Sequence, residues 1–148
     1  MLTVMEKVAL LQNVEAFRAV PTQSLARVAA IAQEVDYQPH EALYNDNEAA
    51  ASMFVLLEGE VALLRSGQEG KKLGPGQVAG LLPFLAGDFE PESAMATQPV
   101  RALRLDQEDF YDAMAEDFNL TRGILRALVK WVLAPGRALT HAADHKPV

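Results

Sequence analysis

The hydrophobic positions near the start of the chain recur at helical spacing. Thr3 and Glu6 form a capping-box pattern, which is typical of a helix start. The apolar positions of this first predicted helix are Val4, Val8 and Leu11. A second helix is predicted after Pro21, with Thr22 as the candidate N-cap. Its apolar stripe consists of Leu25, Val28, Ala29 and Ala32.

The pattern changes after about Val35. From there to about Leu105 the apolar segments are short, and turn residues separate them at positions 38–41, 45–48 and 73–76. Several short strands with regular turn signals predict a β-barrel or a β-sandwich. Some strands are apolar at successive positions, which predicts that both of their faces are covered.

Helical spacing returns after the strands. Asp106 is a candidate N-cap, and the carboxylates of Glu108 and Asp109 suit the positive end of a helix dipole. A last helix is predicted from about residue 119 to residue 133. Its apolar stripe consists of Leu120, Ile124, Leu128 and Trp131. We therefore predict one domain over residues 1–134 and a flexible tail over residues 135–148.

Composition narrows the class of protein. The chain has 148 residues, of which 50% are hydrophobic and 22% charged, as expected for one globular domain. The net charge of −7 disfavours contact with nucleic acid or with anionic membranes. The chain contains no cysteine, shows no secretory pattern and has no apolar run that could span a bilayer. We therefore expect a cytoplasmic domain.

Catalytic and metal-binding patterns are weak. We find no nucleophile, base and acid arrangement, no phosphate-binding glycine loop and no paired carboxylates, so we expect no enzyme activity and no cofactor. His141 and His145 have the spacing of two metal ligands on one helix face. They fall in the predicted tail, where Asp144 is the nearest further ligand, so we predict no metal site.

One stretch carries a specific pattern. Residues 78–87 and 91–96 resemble the phosphate-binding cassette of the cyclic-nucleotide-binding domain family, which includes catabolite-activator-like and protein-kinase-A-regulatory-subunit-like sensors. Three other segments resemble parts of that family. Residues 55–61 resemble its glycine-bearing turn between strands, residues 73–76 the turn that leads into the cassette, and residues 104–110 the exit into the first C-terminal helix. The resemblance covers about residues 6–133. It implies a mainly β fold, a double-stranded β-helix or jelly-roll barrel with N-terminal helices and a C-terminal helix pair.

The resemblance also implies a ligand chemistry. In this family backbone N–H groups hold a cyclic phosphate, an arginine pairs with its oxygens, and a glutamate accepts a hydrogen bond from the ribose. Gly80 matches the cassette glycine, but Leu81 stands at the glutamate position and Glu92 at the arginine position. Ser93 and Ala94 keep the small residues that follow. Positions 78–100 contain no lysine or arginine.

We therefore expect the cassette to have lost cAMP and cGMP binding, at a cost on the order of 4 kcal/mol. Pro83 strengthens this expectation because it lacks an N–H for phosphate. Leu81, Leu82, Phe84 and Leu85 either fill the barrel core, which we favour, or line an apolar pocket. Glu92 is either a solvated loop acid, which we favour, or a partner of Arg65, Arg101 or Arg104.

Two functional hypotheses remain open. The first is a regulatory or protein-interaction module, alone or fused to an effector. Its last helix either packs only on its own barrel or, as we favour, also forms a homodimer through Ile124, Leu128 and Trp131. The second is a small-molecule sensor that binds a cyclic nucleotide or another ligand by different contacts in the same pocket. About 15 residues follow Leu133, too few for the DNA-binding module that transcription factors of this family carry.

Overall fold

The computed structural model describes residues 1–134, which form two antiparallel sheets flanked by helices. The helices are α1 (Val4–Leu11), α2 (Thr22–Ile31), α3 (Leu81–Ala86), α4 (Gln107–Glu116) and α5 (Phe118–Leu133), with a 3-10 turn at Glu15–Phe17. The strands are β1 (Gln33–Tyr37), β2 (Ala42–Tyr44), β3 (Ser52–Glu58), β4 (Val61–Arg65), β5 (Gln68–Leu73), β6 (Val78–Ala79), β7 (Ser93–Ala96) and β8 (Val100–Asp106). The predicted tail, with His141 and His145, lies outside the described residues.

The sheets have the strand orders β1-β8-β3-β6 and β2-β7-β4-β5. In the first sheet Val55 lies opposite Leu103, and in the second Val61 lies opposite Ala96. This arrangement confirms the predicted mainly β jelly roll with flanking helices. The predicted closed barrel needs one correction. Within residues 1–134 no strand pairing joins the two sheets, so they face each other as a sandwich.

Strand β3 shows why some strands are apolar on both faces. Phe54 and Leu56 lie in the core between the two sheets. Met53 and Val55 point the other way, into a second core shared with the helices. The alternation follows from the two-residue period of a strand. The prediction that both faces are covered is therefore confirmed.

The helix starts test the predicted caps. The capping box is confirmed, because Glu6 N–H donates to Thr3 Oγ1 at 3.1 Å and Thr3 N–H donates to Glu6 Oε1 at 2.9 Å. Thr22 as N-cap was wrong by one residue. Pro21 holds the extended backbone before α2, and Thr22 is already helical. Asp106 is the N-cap of α4, but its carboxylate accepts a hydrogen bond from Ser52 Oγ at 2.8 Å instead of capping the helix.

Helix α5 packs tightly against the segment before α2. A Cβ added at Gly123 would lie 2.6 Å from Val20 Cγ2 and 2.9 Å from the carbonyl oxygen of Ala19. The absence of a side chain at Gly123 therefore allows this close approach. Among the described residues no helix is both long and apolar enough to span a membrane.

Replacing Gly123 with alanine should destabilise the domain. Overpacking costs about 1–3 kcal/mol, and the better helix propensity of alanine offsets about 1 kcal/mol of that. We expect urea denaturation to show a net loss of up to about 2 kcal/mol in the free energy of unfolding, toward the upper end because the added Cβ would also meet the backbone of Ala19. Gly74→Ala is the matched control, because a Cβ there meets nothing within 4 Å. Equal stability of both variants would contradict the packing described for α5.

Candidate functional site

The candidate site is built on the segment between β6 and β7. Gly80 is the N-cap of α3 and Gly87 is its C-cap. Both lie in the left-handed region, with φ of +85° and +68°. Glycine adopts this conformation without the strain that a side chain would add. The two glycines therefore set the path of the chain into α3 and out of it. The loop that follows, residues 88–92, leads into β7 and is called the cassette loop below.

The cassette loop pairs with the β2–β3 loop. Ala50 N–H donates to the Asp88 carbonyl at 3.0 Å. Glu90 makes two such bonds, donating to the Glu48 carbonyl and accepting from Asn47 N–H, both at 2.8 Å. These bonds give the cassette loop the geometry of a short strand. Side chains of successive residues therefore point to opposite sides.

Because of this alternation, the side chain of Glu90 points into the domain. Phe89 is 62% exposed, whereas Glu90 is only 2% exposed. The Oε2 atom of Glu90 has no hydrogen-bond partner and lies 3.2 Å from the position of a Cβ on Gly80. The ring of Tyr44 lies 3.3 Å from that same position. The space beside the cassette glycine is thus occupied by a buried carboxyl group and an aromatic ring.

The electrostatics of this space follow from burial. Burial raises the pKa of Glu90 to about 7, because the charged form loses its hydration. The pKa of Tyr44 is also raised, first by burial and then by the negative charges of Glu90 and Glu92. Since positions 78–100 contain no lysine or arginine, that segment supplies no cation to offset these acids.

The predicted cassette residues lie at α3, in the cassette loop and on β7. Gly80 begins α3, Ser93 and Ala94 lie on β7, and Glu92 is half-buried at the end of the cassette loop. Ser93 Oγ accepts a hydrogen bond from Asp46 N–H at 3.0 Å, so it joins the cassette to the β2–β3 loop.

Two of the three arginines considered as partners of Glu92 form ion pairs elsewhere. Arg101 forms ion pairs with Glu34 at 3.1 Å and with Asp36 at 3.9 Å. Arg104 forms an ion pair with Asp106 at 3.2 Å. These contacts hold both arginines on the sheet formed by β1, β8 and β3.

The apolar residues of α3 face the helical core. Phe84 is fully buried, and Leu81 and Leu85 are half-buried against the core shared with the helices, whereas Leu82 is 44% exposed. The expectation that all four fill the barrel interior was therefore wrong. The first sheet separates α3 from the core between the sheets, so α3 packs on the outer face of the sandwich.

Helix α3 is joined to α4 by rings and hydrogen bonds. The ring of Phe84 packs at 5.6 Å from that of Phe110 and at 6.1 Å from that of Tyr111. The carbonyl of Phe84 accepts hydrogen bonds from Tyr111 Oη and Gln107 Nε2, both at 2.8 Å. Helix α3 is therefore in direct contact with α4, the first of the two C-terminal helices.

The structure separates the residues proposed for a dimer contact. Ile124 is only 4% exposed and lies in the domain's own core, and Leu128 packs against that core. Trp131 lines a groove with Arg18 and Ala19. The exposed apolar side chains of α5 are different ones: Phe118, Leu125, Val129, Val132 and Leu133.

Sequence reasoning missed Glu90. An acid in a polar loop is typically solvated, and no periodicity marked residues 88–90 as a strand. Only the long-range pairing with the β2–β3 loop buries it. Within residues 1–134 no cluster of three histidine, aspartate or glutamate side chains could hold a metal ion.

Comparisons with solved structures agree on the fold. The chain resembles a proposed cyclic nucleotide binding protein from Ruegeria pomeroyi, with a TM-score of 0.76 and 21% identity over 99% of this chain and 66% of that one. It resembles the regulatory subunit of a cAMP-independent protein kinase A from Trypanosoma brucei, with a TM-score of 0.76 and 17% identity over 97% of this chain and 52% of that one. The catabolite activator protein of Thermus thermophilus matches with a TM-score of 0.67 and 20% identity, over 78% and 57% of the two chains.

The two-sheet jelly roll with α3 between β6 and β7 is the fold of these structural relatives. Residues 34–117 match the family model of the cyclic nucleotide-binding domain. The chain belongs to that family. It spans 66% of the length of the Ruegeria protein and about half of the trypanosome subunit. No curated protein matches the chain.

Proposed function

We propose that this chain is a regulatory domain that does not bind cAMP or cGMP at cellular concentrations and acts through contacts with other proteins. The observation that carries the proposal is the inverted charge of the cassette. Glu92 stands where the family's arginine is expected, and Glu90 is buried beside Gly80. A cyclic phosphate would meet carboxylates there.

The phosphate of a nucleotide would lack a cationic partner in this cassette. A charge-assisted hydrogen bond to arginine contributes roughly 1.5–3 kcal/mol. Glutamate in its place removes that bond and adds repulsion in a partly buried site. The combined loss is on the order of 4 kcal/mol, or about a thousandfold in affinity. The buried carboxyl group of Glu90 adds to this cost whenever it is ionised.

The space beside Gly80 supports the same proposal. The Glu90 carboxyl group and the Tyr44 ring already lie within 3.3 Å of a Cβ position on that glycine. A nucleotide phosphate would have to displace one of them. The cassette loop would also have to open, because its backbone is bonded to the β2–β3 loop at Asn47, Glu48 and Ala50.

A structural relative supports the role of the arginine. One trypanosome structure is of a mutant of the cAMP-independent regulatory subunit that is bound to cAMP, and one of its three substitutions introduces an arginine. Another of those substitutions removes a glutamate. By analogy, we infer that a domain of this fold can act without cAMP and that an added arginine or a removed acid favours cAMP binding. The link from Phe84 to α4 would then carry a signal set by something other than cAMP.

A second candidate function is a sensor for a ligand without a phosphate. The observation that favours it is the unpartnered Oε2 atom of Glu90. A buried carboxyl oxygen without a partner is costly, and a hydroxyl or ammonium group of a ligand would satisfy it. Such a ligand would enter when the cassette loop opens.

A thermal-shift screen separates the two candidates. The panel contains cyclic nucleotides, cyclic dinucleotides, nucleotides, amines, polyols and small apolar compounds. A ligand that binds the native state raises the melting temperature by mass action, by an amount that grows with its concentration. The proposed interaction module predicts no shift with any compound. A concentration-dependent shift with an amine or a polyol, which Glu90→Gln weakens, would favour the sensor instead.

A further inference from the structure

Helix α5 presents an apolar stripe to solvent. Leu125, Val129 and Val132 are each about half exposed, at 53%, 54% and 49%. Their spacing of four and three residues places them on one side of the helix. The opposite side, with Leu120 and Ile124, is buried in the core. The exposed stripe therefore has the pattern of a helix that packs against a second helix.

A row of cations lies beside this stripe. Arg122, Arg126 and Lys130 follow one another at intervals of four residues and line an open groove with Leu125 and Val129. Helix α5 contains no acidic residue, although the chain has a net charge of −7. Among residues 1–134 no carboxylate forms an ion pair with any of these three cations. Within residues 1–134 these three side chains are therefore available to carboxylates of a partner.

We propose that these residues form a docking face for an acidic amphipathic helix of a partner protein. The α5 docking face consists of Leu125, Val129 and Val132 with Arg122, Arg126 and Lys130. The apolar stripe would bury the partner's apolar residues, and the partner's carboxylates would pair with the cations. The inference rests on the proposed role as an interaction module. It does not rest on the loss of nucleotide binding.

Charge distinguishes this partner from a second copy of the chain. When two α5 helices are placed face to face, neither helix supplies a carboxylate to the cations of the other, and an antiparallel pair would also bring the two rows of cations to the same side of the contact. Arg122 is in line with Leu125 and Val129, so it would lie within such a contact. Residues 135–148 do not supply the acids either, because they contain Arg137 and Lys146 but only one acid, Asp144.

Two synthetic helical peptides test the proposal on the full chain. Both carry leucine at the core positions, and the flanking positions are glutamate in one peptide and lysine in the other. Fluorescence anisotropy should show that the glutamate peptide binds at least about tenfold more tightly than the lysine peptide. The triple variant Arg122→Glu, Arg126→Glu, Lys130→Glu should reverse that preference. Lys71→Glu, at an exposed cation on β5, is the control and should leave it unchanged.

The remaining outcomes would overturn the proposal. They are equal affinity for the two peptides, no binding of either at millimolar concentration, or a homodimer in sedimentation that Leu125→Asp dissociates. Attachment to phosphatidylserine vesicles without binding of the glutamate peptide would also overturn it. Circular dichroism verifies that each variant is folded. Nucleotide binding found by calorimetry would defeat the proposed loss of cAMP binding but leave the peptide result intact, so the two failures are distinguishable.

Discussion

Replacing Glu90 with glutamine should raise the free energy of unfolding by about 3 kcal/mol near pH 8.5 and change it by less than about 1 kcal/mol near pH 5. Burial raises the pKa of this carboxyl group from its ordinary value of 4.5 to about 7. The folded protein therefore holds the proton more tightly than the unfolded chain does. The contribution of Glu90 to stability is fully present below about pH 4.5 and is lost as the pH rises through about 7.

Urea denaturation at several pH values measures this effect directly. The wild-type protein should lose stability between about pH 5 and 8.5, and the Glu90→Gln variant should lose much less. Histidines titrate in the same range, but both proteins contain them, so the difference between the two profiles isolates Glu90. Glu92→Gln is the matched control, because it keeps the buried Glu90 and should keep the wild-type profile. Parallel profiles for wild type and Glu90→Gln would show that Glu90 is not buried as described.

Restoring the charges of the cassette should restore nucleotide binding. The variant carries Leu81→Glu and Glu92→Arg in the Glu90→Gln background. The arginine supplies the missing cation, the glutamate supplies the ribose acceptor, and the glutamine removes the buried acid. We expect the affinity for cAMP to rise on the order of a thousandfold over wild type.

A matched control distinguishes attraction between the introduced arginine and the phosphate from the mere removal of repulsion by Glu92. It carries Leu81→Glu and Glu92→Gln in the same Glu90→Gln background, so it lacks only the arginine. Calorimetry should show that the arginine variant binds cAMP at least about tenfold more tightly than this control. Equal affinities would mean that the charge at position 92 does not govern binding.

Local signals predicted most of the fold. The capping box at Thr3 places α1, and the apolar pairs in β3 follow from a sheet covered on both faces. The last helix was predicted because its apolar stripe is long and regular. These features depend on neighbours within a few residues, which is why the sequence alone is sufficient for them.

Long-range pairing explains what the sequence did not predict. Glu90 is buried only because the cassette loop pairs with a loop more than 40 residues earlier, at Asn47 and Glu48. The helical spacing of the apolar residues in α5 was predicted correctly. The close contact of Gly123 with Val20 determines which side of α5 faces solvent. Helical spacing alone does not predict that contact. The proposed dimer residues therefore included the buried Ile124 in place of the exposed Leu125.

The pairing of the cassette loop with the β2–β3 loop also explains why the sequence pattern points to Glu92 but not to Glu90. The family pattern directed attention to Glu92, which stands at the arginine position. The more deeply buried acid, Glu90, lies two residues earlier. The acids at positions 90 and 92 are visible in the sequence, but the burial of Glu90 required the structure.

Isothermal titration calorimetry of the full chain with cAMP and cGMP tests the central claim most directly. A cassette that presents carboxyl groups to a phosphate predicts no heat of binding for either nucleotide up to millimolar concentration. A saturable heat with a dissociation constant in the low micromolar range, for either nucleotide, would contradict the account.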